Sequence, residues 1–419
     1  MKRVVVVGGG AAGLMAAISA AENGAAVLVL EKMPAPGRKI LITGKGRCNF
    51  TNRCEIDDFP KFFPNNGAFL YSALRAFDNQ ELIDFFAAHG VPSKLERGGR
   101  LFPVSDKAAD IVDALVKTAR QAGVRILTGR PVQSVRLADG RVSGVIAGAE
   151  TTPADAVILA TGGLSYPGTG STGDGYRMAK ELGHSVTPLT PALVPLEVTE
   201  DWIGELQGLS LKNVSALVRI NGRKADSDFG ELMFTHFGLS GPIILSLSQA
   251  ASRALKQAPR PEIVVAVNLK PALTPETLDK RLQRDFTAFA RKQFKNSLGD
   301  LLPAKLIPVM IRLSGIAPEK PVHQISRDER RQLVELLQNL CFTIRGTRPV
   351  AEAVVTAGGV AVKEVQPKTM ESRLVGGLYF AGEILDVDGY TGGFNLQAAF
   401  STGFVAGRAA ALADVGEQK

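Results

Sequence analysis

Residues 4–31 read VVVV-GGGAAG-LMAAISAAENG-AAVLVL-E, an apolar run, a glycine turn, an Ala-rich helical stretch and a second apolar run. Two such runs bracketing a helix predict parallel strands buried on both faces. The turn holds Gly8-x-Gly10-x-x-Gly13 directly between strand and helix. Gly8 permits the tight turn, Gly10 lets the backbone approach a pyrophosphate, and Gly13 lets helix and strand pack closely. The helix N–H groups then face the phosphates. Glu31 closes the second strand, where a carboxylate accepts hydrogen bonds from ribose hydroxyls. The spacing predicts a dinucleotide site, as opposed to a glycine turn without ligand.

Outward from that unit, helical patterns cover Gly67–Phe77, Gln80–His89 and Asp106–Ala122. Short β-segments follow at Val124–Thr128, Val132–Leu137 and Val142–Ala147, with a turn at Ala138–Arg141, then a strand at Ala156–Ala160. Pro188, Pro191 and Pro195 punctuate the chain and mark an exit from the first domain. Residues 195–272 read as a β-rich insert with a hairpin turn at Asn221-Gly222, and residues 273–345 as a small basic helical domain. The expected fold is α/β: a discontinuous Rossmann domain over 1–194 and 346–419, interrupted by those two inserts.

Composition narrows the classes. Hydrophobic residues make up 45% and charged residues 21% of 419, ordinary for a globular protein of two or three domains. No apolar stretch is long enough for a membrane span, and no signal peptide precedes the first strand. Cys48, Cys54 and Cys341 form no C-x-x-C pair and no disulfide framework, which points to the cytoplasm. No His/Cys/carboxylate cluster has metal-ligand spacing. The formal charge is +8, and residues 270–348 hold 15 Lys+Arg against 8 Asp+Glu, so +7 of the excess sits in one segment. That bias points to a polyanionic partner or, equally, to a well-solvated basic surface.

The C-terminal stretch Gly377-Leu-Tyr-Phe-Ala-Gly-Glu383, followed by Gly392-Gly-Phe-Asn-Leu-Gln397, resembles the glutathione-reductase-like flavoproteins. In these a strand ending in Gly-Asp or Gly-Glu contacts the ribityl-phosphate, and the next helix N-terminus faces the flavin, where its dipole favours the anionic reduced form. The resemblance implies FAD. Longer stretches are similar to one family: Gly37–Asn52 (GRKILITGKGRCNFTN), Ala160–Gly163 running on to Gly170–Tyr176, Phe234–Pro242 (FTHFGLSGP), Pro367–Ser372 (PKTMES) and Gly389–Gln397 (GYTGGFNLQ). They resemble the bacterial YhiN/BaiN-type NAD(P)/FAD-dependent oxidoreductases over essentially the whole chain. Lys45 stands where that family pattern has glycine. The turn Thr172–Gly175 also resembles fumarate-reductase flavoproteins, although the favoured role for the side chains of Ser171 or Asp174 is a helix N-cap.

The family's activities reduce carbonyl-activated carbon–carbon double bonds, in unsaturated steroids of bile-acid metabolism and in uridine of large-subunit ribosomal RNA. The resemblance implies FAD contacts at Gly8, Gly10, Ala12, Gly13, Glu31, Lys32, Gly37, Arg38, Lys39, Thr43, Gly44, Arg47, Asn49, Val132, Thr161, Gly162, Gly382, Glu383, Gly393, Asn395, Leu396 and Gln397. It sets Cys48 near the flavin, where Arg47 and Lys45 are expected to favour thiolate and make Cys48 a proton donor. The alternative is a small cysteine packed on the flavin. His236 is a second candidate, orienting a substrate carbonyl, or a structural histidine. Between residues 100 and 350 no Gly-x-Gly-x-x-Gly directly follows an apolar strand run, the match at Gly168–Gly173 lying well past the strand Ala156–Ala160, so NAD(P)H is expected to dock transiently or another donor to reduce the flavin.

Leu278, Leu282, Phe286 and Phe289 form an apolar helical stripe, with Arg281, Arg284, Arg291, Lys292 and Lys295 roughly opposite. The expectation is an RNA-binding face. Three functions follow: reduction of uridine in ribosomal RNA, reduction of a small-molecule enone such as an unsaturated steroid or acid, or RNA binding with FAD as a structural element.

Overall fold

The computed structural model describes residues 1–413, so the expected last domain segment, 346–419, ends in residues outside that range. The chain divides into two compact units, Met1–Pro191 with Val350–Lys419, and Ala192–Pro349.

The first unit is built on a five-stranded parallel sheet in the order Leu378–Phe380, Ala156–Leu159, Arg3–Val7, Ala26–Leu30, Arg125–Leu127. Val4 stands opposite both Ala156 and Val27, so the fingerprint strand is central. The sheet's side chains are apolar and largely buried: helices Ala11–Glu22 and Phe394–Leu412 pack against it, and the strand Arg141–Ala147 also meets Ala156–Leu159. Helix Ala11–Glu22 lies against the C-terminal helix Phe394–Leu412. A β-carbon on Gly403 would sit 2.3 Å from the Ala12 carbonyl oxygen, and one on Gly407 2.1 Å from that of Ala16. Those two glycines therefore let the backbones touch, and the segments at either end of the sequence pack as one layer.

Two small antiparallel sheets extend this unit. One orders Thr51–Asn52, Arg100–Pro103 and Ser93–Glu96; the other is the meander Ser134–Ala138, Arg141–Ala147, Glu150–Pro153. The expected turn at Ala138–Arg141 is present, with Asp139 and Gly140 both left-handed at φ 50 and 72.

The second unit is a closed six-stranded antiparallel barrel, ordered Leu196–Val198, Gly238–Ser240, Arg223–Phe234, Ser210–Ile220, Ile263–Asn268, Leu340–Thr347 and back to the first. Its last strand follows the helices Pro275–Ala288, Ile307–Ser314 and Arg327–Gln338 in sequence. The expected division at 272/273 thus falls inside one unit: Leu278, Leu282 and Phe286 are buried in the same apolar cluster as barrel residues Val218, Val265 and Phe342. The helical stripe needs an apolar partner, and the barrel supplies it.

Candidate active site: a dinucleotide cradle assembled from both ends of the chain

The glycine turn has three different neighbourhoods. A β-carbon on Gly8 would lie 2.6 Å from the Ala160 oxygen, and one on Gly13 1.9 Å from the Gly8 oxygen. A β-carbon on Gly10 would meet no atom within 4 Å. Gly8 and Gly13 are thus fixed by packing, while Gly10 borders open space at the helix start, where a pyrophosphate fits. Glu31 is buried, and its carboxylate is held by two backbone donors, Gly9 N–H to Oε2 at 2.6 Å and Met33 N–H to Oε1 at 2.7 Å. Each oxygen keeps a lone pair for a ribose hydroxyl. Val132 is buried on the segment just after Arg130, whose N–H donates to the Glu31 carbonyl.

The segment Gly37–Asn52 runs from this end of the site to the other. Gly37 N–H donates to Gly9 O at 2.8 Å, and Asn52 Nδ2 donates to Gly392 O at 3.0 Å. At the far end Gly393, φ 98, lies so close to the Thr51 carbonyl that a β-carbon would sit 2.3 Å from its oxygen. The helix beginning at Phe394 therefore opens beside this segment, and its first N–H groups have no intrahelical acceptor. Thr161 Oγ1 and Asn49 Oδ1 are buried without a hydrogen-bond partner among the described residues. Two orphan polar atoms, an open Gly10 and free N–H groups at two helix starts fit the phosphates and ring edges of FAD.

Several expected cofactor contacts are engaged within the protein instead. Lys32 pairs with Asp174 at 2.6 Å and also meets Thr172. Lys39 lies 2.5 Å from Glu383 Oε2 and 2.6 Å from Ser165 Oγ. The other Glu383 oxygen accepts from Thr356 N–H and Ser165 Oγ, both at 2.9 Å. Glu383 is thus engaged within the protein, and so is the Gly382 backbone, whose N–H donates to Thr402 Oγ1 at 3.0 Å. Asn395 clasps the loop before its helix, with Oδ1 taking Gly389 N–H and Nδ2 donating to Gly389 O, both at 2.8 Å. Gln397 is fully buried between Thr51 Oγ1, Phe77 O and Ser401 Oγ. Their side chains hold the loop and helix start in place, and Leu396 between them is half-buried. Gly162, φ 71, is left-handed beside Ser171, Thr43 Oγ1 caps Ile40 O at 2.7 Å, and Arg38 is exposed, reaching only Gly168 O at 3.5 Å. Ala12 is buried in the helix–helix contact.

The expectation of a Cys48 thiolate is corrected. Cys48 is 0% exposed, covered by protein alone, and burial pushes its thiol up to about 12 against a weaker opposing hydrogen bond from Thr43. Arg47 does not offset this: it is bound to Glu96 at 2.7 Å and Asp106 at 3.3 Å, and lies over the Phe102 ring. Lys45 is exposed and left-handed at φ 60, next to left-handed Gly44. A buried neutral thiol cannot reach a substrate, so Cys48 packs. His236 belongs to the second unit, exposed in the turn Thr235–Gly238 with its ring against Phe237. Of the five basic residues, Arg281 and Arg284 both contact Asp285 and Lys295 lies 3.5 Å from Glu319, while Arg284, Arg291 and Lys292 are exposed.

A family model described as the HI0933-like protein Rossmann domain matches residues 2–409. The chain belongs to the HI0933-like family. Among curated relatives it is 37% identical to the 3-dehydro-bile acid delta(4,6)-reductase of Clostridium scindens, over 98% of this chain and 99% of that one. It is 33% identical to the ribosomal RNA dihydrouridine synthase of Escherichia coli, over 95% of each, and 34% identical to that of Haemophilus influenzae, over 96% of each. A solved 3-ketosteroid delta1-dehydrogenase of Sterolibacterium denitrificans shares the fold, with TM-score 0.55 at 13% identity over 99% of this chain and 100% of that one. This HI0933-like chain is an FAD-dependent oxidoreductase, with a Rossmann-type α/β fold carrying additional β-rich and helical segments. Among the described residues no helix is long and apolar enough to cross a membrane, and no group of three or more His, Cys, Asp or Glu could hold a metal.

Proposed function

We propose that this enzyme reduces the C5–C6 double bond of uridine in ribosomal RNA to give dihydrouridine. The observation that carries the reading is the charge of one segment: +7 of the chain's +8 lies in residues 270–348, with Arg284, Arg291 and Lys292 exposed on it. Phosphate contacts of that kind bring a polyanion to the protein without reading its sequence. The two relatives that carry the dihydrouridine synthase name span nearly the whole chain and support the same reading.

When bound, FAD would supply hydride chemistry for the double bond, and with Cys48 buried the proton that completes the reduction would come from solvent. The chain's own part is to hold the dinucleotide: Gly10 and the helix behind it at the pyrophosphate, Glu31 at the ribose, and the start of helix Phe394–Leu412 at the flavin. NADH or NADPH is the reductant in this reading, docking without a second Rossmann fingerprint. Cytoplasmic placement goes with a ribosomal RNA substrate and three unpaired thiols.

A second reading, reduction of a small enone, is favoured by the 37% identity to the bile-acid reductase. RNA mass spectrometry decides: cells lacking the protein lose one ribosomal dihydrouridine, and the wild-type gene restores it. An unchanged dihydrouridine inventory turns the choice to the small molecule.

A further inference from the structure

Between Glu31 and Glu55 the chain holds six Lys and Arg and no Asp or Glu. This stretch crosses the cradle, from Gly37 at the Gly9 carbonyl to Asn52 at the Gly392 carbonyl. Like charges on one segment repel unless acids from elsewhere come to them. For three of the six they do: Lys32 pairs with Asp174, Lys39 with Glu383, and Arg47 with Glu96 and Asp106. Arg38 reaches Gly168 O and Arg53 the Gln80 amide oxygen. Lys45 has no hydrogen-bond or ion-pair partner among the described residues.

Lys45 also holds a backbone conformation that its own β-carbon opposes. Gly44, Lys45 and Gly46 are left-handed at φ 55, 60 and 84, in a loop closed by Cys48 N–H to Thr43 O at 3.0 Å and Arg47 N–H to Gly44 O at 3.3 Å. Glycine adopts that region freely, whereas a β-carbon there crowds the following carbonyl oxygen. Of ten left-handed residues other than glycine, five are Asn or Asp, the types that tolerate it best. Cys48, Leu193 and Met370 are buried and Tyr166 half-buried, so packing offsets the cost. Lys45 is exposed, and burial offsets nothing. Strain that the fold does not compensate points to a role beyond the fold.

The loop stands directly on Asn49, whose buried Oδ1 lacks a partner: a β-carbon on Gly44 would lie 2.9 Å from the Asn49 nitrogen. Leu41 and Ile42, just before the loop, are exposed and apolar, so no acid there competes for the ammonium. We infer that Lys45 is a substrate-binding residue whose ammonium takes a backbone phosphate of the RNA that enters the cradle. An ammonium on a flexible stem meets phosphate as a point charge, without reading sequence. The inference rests on the RNA reading above and adds, to the basic segment of the second unit, one phosphate contact in the first.

The test uses FAD-loaded full-length protein and a fluorescent ribosomal RNA fragment, titrated from about 50 to about 200 mM salt. Lys45→Gly removes the charge and the backbone cost together. Its melting temperature should be no lower than wild type, its FAD absorbance unchanged and its RNA affinity reduced. Loss of one phosphate contact lowers the slope of log affinity against log salt by about one, so the wild-type advantage shrinks about fourfold over that range. Lys45→Arg keeps the charge and should keep the slope. Unchanged affinity and slope in Lys45→Gly, with RNA bound by wild type, overturns the inference alone. A fall in affinity accompanied by a lower melting temperature or lost FAD also overturns it, returning Lys45 to the fold or the cofactor. No binding of RNA by wild type overturns it together with the reading it rests on.

Discussion

The Lys39 ammonium lies 2.5 Å from the Glu383 carboxylate, joining residues 344 positions apart in sequence. Both side chains are about four-fifths buried, at 24% and 19% exposure. Ser165 Oγ bridges the same two groups, so the segment after the fingerprint, the strand-end loop at Ser165 and the C-terminal strand meet at one ion pair.

Removing one partner leaves the other charge buried and unpaired. Lys39→Met is expected to lower the melting temperature and to weaken FAD retention about tenfold or more. Lys39→Met with Glu383→Gln should recover part of the lost stability, because no lone charge remains. Equal losses in single and double variants, measured by thermal melts and flavin absorbance, would show that the pair itself contributes nothing.

Gly10→Val adds bulk where no protein atom lies within 4 Å of a β-carbon. The apoprotein should therefore fold with nearly unchanged far-ultraviolet circular dichroism while FAD retention is lost. Gly13→Val, where a β-carbon would sit 1.9 Å from the Gly8 oxygen, should instead prevent folding. A yellow Gly10→Val protein contradicts the cradle.

Thiol accessibility separates the three cysteines. Cys341 is exposed and Cys48 fully buried with its thiol pushed up to about 12. A chromogenic disulfide reagent at pH 8 should label Cys341 at once and Cys48 only on unfolding. Cys48→Ala should cost about 1 kcal/mol of stability, typical of a point substitution, and leave substrate reduction near wild type. A hundredfold loss of turnover at unchanged flavin reduction would restore Cys48 as the acid.

The Cys48 outcome shows where sequence reasoning stops. The fingerprint, the central strands and the meander were legible because period and glycine spacing are local properties. The barrel's last strand was missed: its alternation Leu340, Phe342, Ile344 against Cys341, Thr343, Arg345 merges into the helical run before it and reads as part of a helical domain over 273–345. What one-dimensional spacing does not carry is which charged groups find each other. Arg47 beside Cys48 reads as an activating cation until Glu96 and Asp106 bind it, and Glu383 reads as a ligand until Lys39 does. Asn395 is taken up by Gly389 and Tyr390 of the loop just before its helix, and Gln397 by Thr51 and Phe77 from distant segments.

His184 provides a pH test of the first unit. Its ring is fully buried, and burial holds its pKa below the ordinary value despite the nearby Glu364. Ser372 Oγ accepts from Leu374 and Val375 N–H, so it donates its proton to His184 Nε2 at 2.9 Å, which fixes the neutral Nδ1–H tautomer. A depressed folded pKa means the unfolded chain binds the proton first. The contribution is therefore present above about pH 6.5 and lost as pH falls below it. Wild type should lose melting temperature between pH 7 and 5 more steeply than His184→Gln. Parallel profiles would remove the histidine from the account.

Reduction of ribosomal RNA uridine, as proposed for this enzyme, is open to a single-turnover test. Holoprotein reduced anaerobically with NADPH or NADH, freed of nicotinamide, is mixed with ribosomal RNA from cells lacking the protein. Flavin absorbance and RNA mass are followed together. The oxidised flavin spectrum should return with one dihydrouridine formed per flavin at a single position. Flavin that stays reduced with that RNA but is oxidised by an unsaturated 3-ketosteroid would contradict it.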